Sequence, residues 1–198
     1  MSSGPRLTIS LPSWPPGPIT MPMTYTTGPS LTGAFFRSLE DASKVFYAAA
    51  RGVLPLCSDR LNEAERKQVR PGNVYVYDST ALVRWADGRR WGASRVRGFF
   101  LCYPEKSSRN RYDLKNPLAR VACTANVTLP NGQIRQWGMV LYLDNSSPLT
   151  PVGDIPNVGD THVPPGRVVI TQGSQQGSEL HAYFVPAVNV RRLQANSH

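Results

Sequence analysis

A chain of 198 residues with 22 Lys+Arg against 13 Asp+Glu carries a formal charge of +9, and 40% of it is hydrophobic. That length supports one domain with its own core, so neither metal nor disulfide staples are required. Sixteen glycines and 18 prolines exclude a helical bundle, and 9% aromatics exclude wholesale disorder. Eighteen of the basic residues are Arg and four are Lys. Arginine offers a planar fork of donors that suits phosphates and guanine edges. With a pI near 9.9, a polyanion is the expected partner, nucleic acid or an anionic membrane surface. Cys57, Cys102 and Cys123 are odd in number, far apart and outside any C-x-x-C pair, so no disulfide framework and no metal site is expected. Residues 1–24 lack the charged start and apolar run of a signal peptide, and no stretch approaches about 18 apolar residues. An intracellular, soluble protein with no membrane span is expected, with no role for the sequons at Asn126 and Asn145.

Residues 1–28, with six prolines and few charges, read as a disordered arm. One domain over 29–190 follows, with a short tail at 191–198. Ala34-Phe35-Phe36 reads as a short strand. Ser38-x-x-Asp41 opens a helix whose Leu39, Ala42, Val45, Phe46 and Ala49 recur at helical spacing and which Gly52 and Pro55 end. Ser58 or Asn62 opens a second, charged helix reaching about Val69. Arg70-Pro71-Gly72-Asn73 is a turn, and Val74 to Tyr77 a strand. Leu82 to Trp85 reads as a further strand before the tight turn Ala86-Asp87-Gly88, and Phe99 to Tyr103 as the next. A polar basic loop spans 106–116. Leu118–Leu129 and Gln133–Leu143 form a long hairpin about Pro130-Asn131-Gly132. After a Pro/Gly/Asp-rich loop at 144–166, Arg167–Thr171 and Glu179–Val185 read as late strands. The fold class is α+β: an antiparallel sheet with two N-terminal helices packed on it.

The informative stretch is RWADGRRWGASRVRG, residues 84–98. Arg84, Arg89, Arg90, Arg95 and Arg97 surround one acid, Asp87, and Trp85 and Trp91 bracket a small tip. Two tryptophans can anchor such a loop against a core while Gly88 and Gly92 keep the tip slim. A slim tip carrying arginines fits the B-DNA minor groove, about 6 Å wide, whose potential in A·T-rich sequence attracts arginine. Alternatively, the arginines line a phosphate-contacting face.

At these residues the chain resembles the fungal WOPR-box, or Gti1/Pac2, transcriptional regulators. Gly33 to Arg37, Leu39-Glu40-Asp41-Ala42, Gly52-Val53-Leu54-Pro55, Arg70 to Tyr77, Arg84 to Arg95, and Phe99 to Tyr103 with Glu105 match the family's first segment (29–105 here). The hairpin resembles its second (117–190 here). Ala86 stands where the family has Thr, and Gly92-Ala93 where it has Ser-Pro. The resemblance implies two segments interdigitated into one DNA-binding unit, an A·T-containing element, a nuclear location, and control of developmental or morphological genes in a fungus.

The expected function is sequence-specific binding of double-stranded DNA. The expected contacts are Arg84, Arg89, Arg90, Ser94, Arg95 and Arg97, with Arg37 holding phosphate beside the first helix's N-terminal amides. Lys106, Arg109 and Arg111 form a second basic cluster. One of Arg95 and Arg97 is expected on phosphate and the other packed or paired. Trp85 and Trp91 read as anchors more than stacking platforms. Asp87, with Gly88, forms the turn or orients an arginine. Arg66, Lys67 and Arg70, interspersed with acids, read as a solvated helix face. No G-x-S-x-G, H-E-x-x-H or phosphate-binding glycine loop is present, so no enzyme, cofactor or small-molecule substrate is expected. The rival readings are an RNA or single-strand binder that stacks bases on the tryptophans and tyrosines, or a protein-interaction domain that has lost DNA binding.

Overall fold

The structure, a computed structural model, describes residues 22–106 and 116–171. The first 21 residues, most of the 106–116 loop with Arg109 and Arg111, the expected strand at 179–185 and the tail lie outside the described residues. Order begins before residue 28, contrary to expectation. Strand β1 (Tyr25–Thr26) pairs in parallel with β3 (Leu56–Cys57).

Short β2 (Ala34–Phe35) leads into helix α1 (Leu39–Ala50). Ser38 caps it through a hydroxyl that accepts from the Asp41 amide at 3.3 Å. The Asp41 carboxylate reaches one residue further than a capping box would, taking the Arg37 amide at 2.6 Å. Ala42, Val45, Phe46 and Ala49 are fully buried, as their spacing requires. The second helix, α2 (Glu63–Lys67), is capped by Asn62 in a complete box with Glu65 and has no buried residue of its own. Its flanks Leu61 and Val69 are the parts that pack.

The main sheet has the order β4-β8-β7-β6-β5, with β10 also on β7. The strands are β4 (Val74–Asp78), β5 (Arg95–Arg97), β6 (Phe100–Pro104), β7 (Ala119–Thr128), β8 (Ile134–Leu143) and β10 (Val168–Ile170). All pairings in it are antiparallel. The β7–β8 hairpin thus lies between β4 and β6, strands from the segment that precedes it. A two-residue β9 (Thr150–Pro151) pairs with β2 in parallel. The expected strand at Leu82–Trp85 is absent: Leu82 is buried, while Val83 is 86% exposed, and the segment runs as an irregular loop.

Side-chain alternation splits the core into two layers. Val121, Cys123, Ala125, Val127, Met139 and Leu141 meet Val45 and Phe46 of α1 on one face. Tyr75, Val140 and Tyr142 face the other way, where Leu61, Val69, Trp85 and Trp91 cover them. The arginine loop is therefore a lid on the face opposite α1. A one-residue slip of the hairpin would exchange the two layers, so the pairing register fixes the seat of the loop.

Candidate nucleic-acid interface

The loop is held by a buried carboxylate. Asp87 is 3% exposed and gathers donors from three segments. Trp91 Nε1 donates to both of its oxygens at 3.0 Å. The Arg89 amide donates to Oδ1 at 3.0 Å, and the Tyr142 hydroxyl to Oδ2 at 2.6 Å. Trp85 Nε1 in turn donates to the Tyr142 oxygen at 2.7 Å. Burial, then the charge of Asp87 and its hydrogen bond, push the Tyr142 phenol far up, so it remains a donor at any ordinary pH. The charge on Asp87 is balanced by Arg120, 3.4 Å away. The Arg120 guanidinium lies 4.9 Å from the Trp91 ring centre and 4.3 Å from that of Tyr103, a favourable arrangement for a cation.

Both indoles are seated on tyrosines. Trp85 stacks on Tyr77 at 5.2 Å and contacts Tyr75 at 4.9 Å; Trp91 meets Tyr142 at 5.9 Å. Gly138 makes the first contact possible. It faces Tyr77 across the β4–β8 ladder, and a side-chain carbon there would collide with the Tyr77 ring. Gly88 turns the tip with a φ of +74°, where L side chains are strained. The Trp91–Glu105 bridge closes the loop against the strand that follows it, with Gly92 donating to the Pro104 carbonyl at 2.7 Å and Lys106 to that of Arg90 at 2.8 Å.

The expected contact residues separate into groups. Arg84, Arg90, Ser94 and Arg95 are exposed, and none of them makes a side-chain hydrogen bond or ion pair among the described residues. Arg89 is turned inward: it pairs with Glu105 at 2.6 Å and donates to the Val69 carbonyl at 3.4 Å, while Glu105 also accepts from the Leu118 amide. That geometry makes it a strut. Lys106 is exposed and joined to the loop through its backbone. Arg95 and Arg97 stand opposite Cys102 and Phe100 in the β5–β6 register, on the side of the sheet that carries α1, and Arg97 is half-buried. Arg37 belongs to the α1 layer, where it bridges to Asp154 at 3.4 Å, away from the loop.

Sequence reasoning missed Tyr142, Arg120 and the pairing role of Glu105. The hairpin's alternation puts 120 and 142 opposite each other on the loop-facing side, so their placement was available; which residues lie above them was not. Among the described residues, no group of three or more His, Cys, Asp or Glu side chains is positioned to hold a metal ion.

The sequence pattern of the Gti1/Pac2 family matches residues 33–131, half of the chain. The cAMP-independent regulatory protein pac2 of Schizosaccharomyces pombe is 41% identical over 73 residues, 36% of this chain and 31% of pac2. Global transcription regulator FGP1 of Gibberella zeae is 38% identical over 74 residues, 36% of this chain and 22% of that protein. The chain thus spans less than a third of the curated relatives it matches. In structure it is similar to the WOPR domain of Wor1 from Candida albicans, solved in complex with a 17 bp double-stranded DNA: TM-score 0.56, 22% identity, 69% of this chain and 95% of that one. The likeness shows a shared fold, and with the family match it identifies the chain as a member of the Gti1/Pac2 family.

Proposed function

We propose that this chain is the DNA-binding part of a fungal transcriptional regulator of development or morphology, acting in the nucleus on a double-stranded, A·T-containing element. The observation that carries the reading is the contrast within one loop. Arg84 and Arg90 stand in solvent with no acid to neutralise them, on a frame whose acid, indoles and Arg89 are all engaged inside. Fixed, unpaired guanidinium groups on a slim tip suit the negative potential of a narrow minor groove. The relatives, a global transcription regulator and a WOPR domain solved on double-stranded DNA, support the same reading. In it Arg84 and Arg90 read base edges, Ser94, Lys106 and the exposed Arg95 hold phosphates, the half-buried Arg97 packs on the α1 side of the sheet, and Arg89 and Asp87 position the tip. Arg109 and Arg111 extend the phosphate contacts. Arg37 takes no part in the loop's contact face. Both indoles already pack on aromatic or cationic neighbours, Trp85 on Tyr75 and Tyr77 and Trp91 on Tyr142 and Arg120, which supports an anchoring role over base stacking.

Selection of bound sequences from random duplex DNA tests this. Arg84→Ala or Arg90→Ala is expected to cost about 1–3 kcal/mol on the selected site and much less on random duplex. Equal loss on both would reduce them to phosphate contacts. Failure of the unaltered protein to retain any duplex at ~100 mM salt would favour a protein-interaction domain instead.

A further inference from the structure

More than half of the described acids are matched to particular cations: Asp87 to Arg120, Glu105 to Arg89, Glu63 to Lys67, Asp78 to Arg135, Asp154 to Arg37 and Glu40 to Lys44. Arg66 stands outside this scheme. It makes no side-chain hydrogen bond or ion pair among the described residues, and its Nε is buried without an acceptor. The acids of its own helix are engaged elsewhere, Glu63 by Lys67 at 2.8 Å and Glu65 by the Asn62 amide at 2.7 Å. The neighbouring cations differ: Lys67 has that ion pair, and Arg70, just past the helix, donates to the Lys67 carbonyl at 2.7 Å.

What holds Arg66 is the loop. A side-chain carbon added at Gly88 would lie 3.0 Å from its Cδ and 3.7 Å from its Nε, so the aliphatic stem lies against the bare backbone of the tip. Arg89 fastens the same junction from the other side through the Val69 carbonyl, just past α2. A guanidinium with its stem already immobilised and no competing acceptor among the described residues loses little freedom when an anion arrives, and arginine's fork suits a phosphate.

We propose that Arg66 is a phosphodiester-binding residue, a contact from α2 beside the Gly88 turn of the loop tip. This rests on the double-stranded DNA reading above. It reverses the expectation that α2 is only a solvated charged face, and gives Gly88 a second purpose, room for the Arg66 stem.

The test titrates the full chain with the selected duplex and a random duplex over a series of salt concentrations. With roughly six phosphates engaged, the unaltered protein should show log K falling against log salt with a slope of about −5. Arg66→Gln is expected to weaken both duplexes by a similar factor, about three- to tenfold at ~150 mM salt, and to reduce the slope by about 0.9. Arg66→Lys should restore the slope. An unchanged slope, even with weaker binding, would make Arg66 a packing residue and overturn the proposal; so would a loss confined to the selected duplex. If Arg66→Gln loses its thermal transition, Arg66→Met, which keeps an aliphatic stem on Gly88, takes its place, and unfolding of both variants also overturns it. Absence of duplex binding by the unaltered protein would instead refute the underlying DNA reading.

Discussion

Asp87 is the residue on which the loop turns. A carboxylate this buried is costly unless it is compensated by hydrogen bonds and a counter-charge, and here Trp91, Arg89, Tyr142 and Arg120 supply them. Tyr142→Phe keeps the ring and deletes one hydroxyl, leaving Trp85 Nε1 without its acceptor and Asp87 short of its nearest donor. We expect a stability loss of about 2 kcal/mol, read as a fall in melting temperature, and a larger relative loss of affinity on the selected duplex than on random DNA. Unchanged stability and affinity would mean that the loop is held by its ring contacts alone. The sequence made part of this legible. Asp-Gly after a tryptophan announced the turn, and the Asp87 carboxylate accepts from the Arg89 backbone amide, while the Arg89 guanidinium is held by Glu105 instead. Its main partner, Tyr142, lies 55 positions away along the chain, and no local pattern encodes that pairing. Arg89 shows the same limit from the other side: within the loop it looks identical to Arg90, and only the arrival of Glu105 from β6 separates strut from contact.

At the scale of elements, the helix α1, the strands β4 and β6 and the long hairpin were legible because each carries a strong internal period or a turn signal. The expected strand at Leu82–Trp85 was not, for a physical reason. Its residues have the composition of a strand, but a strand needs a ladder partner, and β4 already lies between β8 and the Ser30–Leu31 segment that bonds to Val74. The segment instead crosses the sheet face, pressing Leu82 and Trp85 down and leaving Val83 and Arg84 outward. That crossing depends on the gap at Gly138. Gly138→Ala should displace the Tyr77 ring and loosen Trp85 above it, costing about 2 kcal/mol through overpacking. Tryptophan fluorescence should shift toward the solvent-exposed range if the coupling is as described, whereas a stability loss with unaltered emission would place the damage in the strand alone.

For the whole molecule, the two layers make different demands. The α1 layer is almost purely apolar and contains Cys102 and Cys123; the loop layer contains Cys57. Burial pushes the Cys57 and Cys102 thiols up to about 11 and that of Cys123 further still. As the thiolate is the reactive species, all three should resist an alkylating reagent at neutral pH and react together once denaturant unfolds the chain. Selective reaction of Cys57 under native conditions would show that the loop layer opens by itself. At this scale the charge reading has a limit: a surplus of arginine points to a polyanion before any element is assigned, yet it cannot say which of the arginines remain unmatched, because that depends on where the acids end up.

The placement of the loop as a lid on one sheet face, with the folding core on the other, has an evolutionary corollary. Exposed positions such as Val83, Arg84 and Arg90 touch neither packed layer, so exchanging them should alter which sequences are preferred while scarcely affecting whether the chain folds. On the proposed DNA reading, lineages can drift in what they recognise by changing a few fingertips, provided the wrist beneath, Asp87 with its two indoles and Tyr142, is inherited intact.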